Sequence, residues 1–166
     1  MADFRRAFIP GGTYFFTLVT ANRRPIFADA GARRALGESM RRVRHDQPFV
    51  TIALVLLPDH LHAIWRLPEE DADFPMRWCR IKQLTTLRLR SLGIAGRVWQ
   101  RRYWEHAIRD EADLARHFDY IHYNPVKHGH VETPREWSAT TFHRFVRAGV
   151  YTPGWAGPSE PADLPE

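Results

Sequence analysis

Two strand-like runs, Phe49 to Leu57 and Leu61 to Leu67, are separated only by Pro58, Asp59 and His60. So short a link cannot carry the chain across to a parallel neighbour, which takes a crossover of a dozen or more residues, so the runs are expected to pair as an antiparallel hairpin. The rest of the chain has to be arranged around that hairpin. After a Pro10-Gly11-Gly12 turn, Thr13 to Thr20 is aromatic and β-branched without polar alternation, the pattern of a central strand covered on both faces. Ala32, Leu36, Met40 and Val43 recur at helical spacing, with Arg33, Arg34, Arg41, Arg42 and Arg44 largely elsewhere around the helix, which ends near His45. Asp73 offers an N-cap, Pro75 suits a first turn, and Trp78, Ile81, Leu84 and Leu87 mark a second helix running until Gly93. A short strand is expected at Tyr103 to Ile108. Asp110 and Asp113 then resemble a capping box, and Leu114, Phe118 and Ile121 define a third helix to about Asn124, where Pro125 is expected to stop it. The order strand, helix, strand, strand, helix, strand is that of an α+β, ferredoxin-like antiparallel sheet with helices packed on one face.

At 166 residues the chain can bury one core, so residues 1–152 are read as a single domain. Residues 153–166 are rich in proline and acid with little to bury, and are expected to be a disordered tail. The formal net charge is +5, and of 24 basic residues only Lys82 and Lys127 are lysine. Arginine matches phosphate bidentately and stacks on flat rings, which favours a nucleic-acid partner; a GC-rich genome also favours arginine codons. Cys79 is the only cysteine, which excludes an internal disulfide and a cysteine-based zinc cluster. The most apolar runs fall far short of the roughly 18 residues of a membrane span, and the N-terminus lacks a signal-peptide layout, so the protein is expected to be cytoplasmic with no membrane partner.

His60-Leu61-His62 opens a strand, where alternate side chains lie on one face about 7 Å apart, so two imidazoles can converge on one ion. Asp59 stands beside them and can tune the pair from behind. Two histidines leave a cation incompletely held. Tyr120 and Asn124, four residues apart on one face of the third helix, offer a nucleophile and a further ligand. A phenol with a pKa near 10 needs a cation or base nearby to attack at neutral pH. The plainer reading is a tyrosine at the core edge and an asparagine at a helix stop. Trp99-Gln100-Arg101-Arg102-Tyr103-Trp104 interleaves rings with guanidinium groups, which suits unpaired bases and their phosphates, with Tyr103 placed to stack on a base. Arg5, Arg6, Arg23 and Arg24 flank the central strand and are candidate phosphate contacts.

From about Arg5 to Gly157 the sequence resembles the REP-associated tyrosine transposases, relatives of the bacterial single-tyrosine HUH transposases. The likeness lies in Pro10-Gly-Gly-Thr-Tyr-Phe-Phe-Thr17, Leu57-Pro-Asp-His-Leu-His62, Trp99-Gln-Arg-Arg-Tyr-Trp-Glu-His106 and Tyr120-Ile-His-Tyr-Asn-Pro-Val-Lys127. The resemblance implies a nuclease core in which His60 and His62 bind magnesium or manganese, Tyr120 is the nucleophile, Asn124 is a third ligand and Lys127 contacts DNA. It also implies cleavage and rejoining of single-stranded DNA beside the hairpins of palindromic repeats, through a 5′-phosphotyrosine.

Two other classes frame this expectation. A non-catalytic DNA-hairpin binding protein would share the charge and the aromatics. A phosphoesterase with paired His-x-Thr motifs is excluded, because His62 stands where threonine is needed. There is no G-x-x-x-x-G-K-[ST] loop, in keeping with strand transfer that needs no ATP. Oligomeric state, monomer or homodimer, is left open by the sequence.

Overall fold

The computed structural model describes residues 6–166, so Arg5 lies outside the described residues. Its main elements are β1 (Thr13–Val19), α1 (Ala30–Asp46), β2 (Val50–Leu56), β3 (His60–Arg66), α2 (Phe74–Ser91), β4 (Trp104–Ala107), α3 (Glu111–Lys127) and α4 (Phe142–Arg147). The sheet order is β2-β3-β1-β4, antiparallel throughout, which is the ferredoxin-like arrangement. Among the described residues, no helix is long and apolar enough to cross a membrane.

The two-residue period of the strands divides the core in two. Tyr14, Phe16 and Leu18 of β1 join Leu61, Ala63 and Trp65 of β3 on one face, covered by Ala32, Leu36 and Val43 of α1 and by Phe74, Trp78 and Ile81 of α2. Trp65 and Trp78 stack there with ring centroids 3.9 Å apart, and truncating either to alanine is expected to cost about 3–5 kcal/mol. Phe15 and Ile64 point the other way, with Ala53 and Val55 of β2, and meet Tyr120 and Ile121 of α3. The third helix thus covers the face that α1 and α2 leave bare. By the same alternation, His60 and His62 fall on the α3 side.

Both predicted N-caps form: Asp73 accepts from the Met76 N–H at 3.0 Å and Asp110 from the Asp113 N–H at 2.8 Å. Pro125, however, does not stop α3, which continues to Lys127. A proline there removes only the bond its own N–H would have made to the Ile121 carbonyl, and its fixed φ is helical. The helix ends instead with His128 as its C-cap, whose N–H reaches the Asn124 carbonyl, and Gly129 follows left-handed at φ 71°. This extra turn matters to the site, because it aligns Lys127 with Tyr120 on one helix face.

Asp113 fixes where α3 sits. Its buried carboxylate accepts from His106 Nε2 of β4 (2.8 Å), the Arg109 N–H (3.0 Å) and the Arg116 guanidinium (3.0 Å). Burial alone would raise its pKa, but these donors outweigh it and hold the group well below the usual carboxylate range. On the edge strand β2, residues 137–141 and α4 cover the backbone: Leu56 donates to the Ala139 carbonyl and Arg144 to the Ile52 carbonyl.

Candidate active site

The antiparallel register sets His62 opposite Thr17 and His60 opposite Val19. His60 Nδ1 donates to Asp59 Oδ1 at 2.6 Å, leaving Nε2 as the lone-pair nitrogen, 3.3 Å from Asn124 Oδ1. His62 Nδ1 lies 2.8 Å from the Thr17 hydroxyl, which itself donates to the Pro165 carbonyl, so here too Nε2 is left to accept. Among the described residues, that buried His62 nitrogen has no hydrogen-bond partner. Burial lowers the pKa of both imidazoles, for His60 against an opposing pull from Asp59, and keeps them in the neutral form that ligates metals. Burial raises Asp59 in turn, but His60 and Arg23 more than offset it and keep it ionised.

Two neutral imidazole nitrogens, with the buried Asn124 amide oxygen beside that of His60, are a donor set suited to a divalent cation, and Asp59 and Thr17 hold the rings through their other nitrogens. The residues present fit such an ion. The ligand atoms of His60, His62 and Glu166 also lie within 4.8 Å of one another.

Tyr120 is 3% exposed, with its ring edge-on to His62 at 5.2 Å. Its hydroxyl donates to Glu166 Oε1 at 2.5 Å and accepts from Lys127 Nζ at 3.3 Å. Burial first, then the Glu166 carboxylate, pushes the phenol far above its ordinary pKa. The carboxylate also takes bonds from Lys127 (2.9 Å) and His128 Nε2 (3.1 Å); burial would raise its pKa, but the Tyr120 hydroxyl, Lys127 and His128 outweigh that and hold it well below the usual range. One anionic oxygen thus sits among a lysine, a histidine and a tyrosine hydroxyl, within reach of the two site histidines.

The segment 153–166, expected to lack order, carries no helix or strand. Its last residues nevertheless lie along this site, with Ala162 and Leu164 packed against the α3-side core. Nothing in the tail's composition signals a role for Glu166, and His128 carries no signal beyond following Lys127 in the chain.

The candidate DNA contacts separate. Lys127 is in the site. Trp104 pairs with Thr17 across β1 and packs on the α3 side. Tyr103 packs on the opposite core, its ring 4.7 Å beneath the Arg6 guanidinium and its hydroxyl accepting from Arg6 at 3.0 Å. Burial pushes its phenol up to about 12. Arg6 and Tyr103 are therefore engaged with each other, away from the histidines. Arg23 pairs with Asp59 at 3.2 Å, Arg24 donates to the Ala95 carbonyl, and Arg101 and Arg102 are exposed.

No family model matches the chain. It is 45% identical over 157 residues to the REP-associated tyrosine transposase of Escherichia coli (strain K12), covering 95% of this chain and 92% of that protein. A Haemophilus influenzae relative is 40% identical over 167 residues, covering 95% and 94%. Among solved structures, one of a REP-associated tyrosine transposase bound to a REP hairpin superposes with a TM-score of 0.88 at 43% identity, covering 99% of this chain and 95% of that one. A Deinococcus radiodurans structure at 17% identity and a TM-score of 0.51 shares the fold alone.

Proposed function

This chain belongs to the REP-associated tyrosine transposases, and from that premise we propose which of its residues perform the reaction. It is a single-strand DNA endonuclease and strand transferase that works beside palindromic-repeat hairpins and depends on a divalent metal. The observation that carries the assignment of residues is the buried Nε2 of His62, which has no hydrogen-bond partner among the described residues, beside the rings of His60 and Tyr120.

His60, His62 and Asn124 hold the ion, of the magnesium or manganese class. Bound there, it supplies Lewis-acid polarisation of the scissile phosphate. Tyr120 gives its phenolic proton to solvent and attacks the phosphorus, the bond to the 3′-oxygen breaks with that oxygen taking a proton from solvent, and the downstream strand stays on the enzyme as a 5′-phosphotyrosine. Lys127 stabilises the phenolate and, with His128, the phosphate oxygens, in the place that Glu166 fills here. The ester keeps the energy of the broken bond, so attack by a free 3′-hydroxyl rejoins strands without a nucleotide cofactor.

The partner is a DNA hairpin with unpaired flanks, and Arg23, Arg24, Arg101, Arg102 and Trp104 are its contacts outside the reacting centre. The test is cleavage of a labelled hairpin-bearing single strand with manganese. His60→Ala and His62→Ala should lose cleavage while retaining hairpin affinity, which the arginines chiefly supply. Undiminished cleavage in both variants would contradict the metal assignment.

A further inference from the structure

At the end of β1 the chain turns through Ala21–Arg23 with two consecutive non-glycine residues in the left-handed region, Asn22 at φ 56° and Arg23 at φ 49°. Side chains disfavour that conformation, asparagine least, and it persists only where the surroundings over-determine it. Here they do. Ala21 donates to the Val98 carbonyl (2.9 Å), Arg23 N–H to the Thr20 carbonyl (3.1 Å), and the Thr20 hydroxyl to the Arg24 carbonyl (2.7 Å), while Thr20 bridges to Trp99.

The turn forms one wall of a cleft of about 820 Å³, closed on the other side by residues 97–101. Asn22, Arg23, Arg24, Arg97, Gln100 and Arg101 line it, and among the described residues no carboxylate does. Arg24 is aimed by the carbonyls of Ala95 and Arg97, and Arg97 by that of Trp99. The volume is ample for one nucleotide, and planar guanidinium groups can serve both a phosphate and a base. Arg23 differs from the rest: it donates to Asp59 Oδ2, while Asp59 Oδ1 takes the Nδ1 proton of His60. A direct line of hydrogen bonds therefore joins the cleft wall to a metal-type histidine.

We propose that this cleft seats one unpaired nucleotide of the substrate strand, and that Arg23 relays its occupancy through Asp59 to His60. The relay rests on His60 being a metal ligand, as assigned above. A phosphate in the cleft competes with Asp59 for the Arg23 guanidinium. Released from that cation, Asp59 draws more strongly on the His60 Nδ1 proton, and Nε2 becomes the better donor to a metal. Nucleotide occupancy thus raises metal affinity, and metal raises nucleotide affinity by the same factor.

The experiment uses the full chain and two DNA probes, one hairpin with and without an unpaired five-nucleotide extension. By fluorescence anisotropy in EDTA, an Arg97→Gln variant with unchanged melting should bind the extended probe severalfold more weakly and the blunt one normally. An equal loss on both probes, or none, overturns the nucleotide subsite. By electron paramagnetic resonance of free Mn²⁺, the extended probe should raise manganese affinity severalfold in the wild type but not in Arg23→Gln. An equal gain in both, or no gain in either, overturns the relay. Failure of the wild type to bind manganese counts against the metal site itself and takes the relay with it. A metal site and a Tyr120 adduct that both stand, with unaltered probe binding in Arg97→Gln, count against the cleft alone.

Discussion

Replacing Glu166 by glutamine should make the enzyme bind and cut its substrate more readily. The carboxylate occupies the groups assigned to the scissile phosphate: the Tyr120 hydroxyl at 2.5 Å, Lys127 at 2.9 Å and His128 at 3.1 Å. Its side chain is 18% exposed, whereas that of Lys127 is 30% exposed, so the lysine pair is worth only a surface value of about 0.2–1 kcal/mol. The bond from the buried Tyr120 hydroxyl is the stronger one, charge-assisted and worth about 1.5–3 kcal/mol. Glutamine keeps an acceptor for that hydroxyl but loses the charge, so the net loss is about 1–2 kcal/mol. That is a factor of about 5–30 in the equilibrium between filled and vacated site.

Affinity for a hairpin whose unpaired flank reaches the site should rise by up to that factor in Glu166→Gln, as should the cleavage rate below saturation. Affinity for the blunt hairpin should not change. Anisotropy and single-turnover cleavage read the two effects separately. An unchanged or weakened affinity for the flanked probe would refute the competition. If affinity rose while single-turnover cleavage at saturation fell, Glu166 would be assisting the chemistry, which the competition argument excludes.

Two further expectations follow from the same structure. His122 is buried against Tyr151 and Thr141, and burial lowers its pKa to about 3. The unfolded chain takes up a proton near pH 6.5 that the native state refuses, so the stability linked to this group is complete above that pH and falls by about 1.4 kcal/mol per unit down to about pH 3. Urea midpoints measured across that range should fall less steeply in His122→Gln; an equally steep fall would show that other groups set the acid limit. Because Trp104 and the exposed Arg101 and Arg102 suit unpaired bases and their phosphates, a flanked hairpin should bind far better than blunt duplex, with affinity falling steeply in salt; equal affinity at physiological salt would contradict that reading.

What was legible in the sequence is what short-range periodicity controls. The alternation that places Leu61 in one core and His60 and His62 in the other needs only their neighbours in β3. The caps at Asp73 and Asp110 are local hydrogen bonds, visible from residue type and spacing. Pro125 does not end the helix where its sequence position suggests, because a proline one turn from a helix end forfeits a single bond, which the packing of Tyr120 and Ile121 on the sheet outweighs. The helix α4 has no signature in the sequence because six residues give too short a pattern, and its role, covering an edge strand, is defined by a segment some ninety residues earlier. Long-range pairings were equally hidden. No periodicity announces that Arg6 will lie over Tyr103, that Arg23 will hold Asp59, or that Glu166 will return to Tyr120.

The central claim is that Tyr120 forms the covalent link to DNA, and one labelling experiment tests it. Wild type, Tyr120→Phe and Tyr123→Phe are incubated with manganese and with 5′-labelled or 3′-labelled flanked hairpins, then denatured. Removing the Tyr120 hydroxyl leaves the ring's packing against Phe15 and His62, so the variant should fold and bind. Only the 3′-labelled strand should tag the wild type and Tyr123→Phe, because the 5′-phosphate side stays on the enzyme, and Tyr120→Phe should carry no label. A tagged Tyr120→Phe, a label entering from the 5′ end, or a wild type that binds the hairpin but never becomes linked to it would contradict the account.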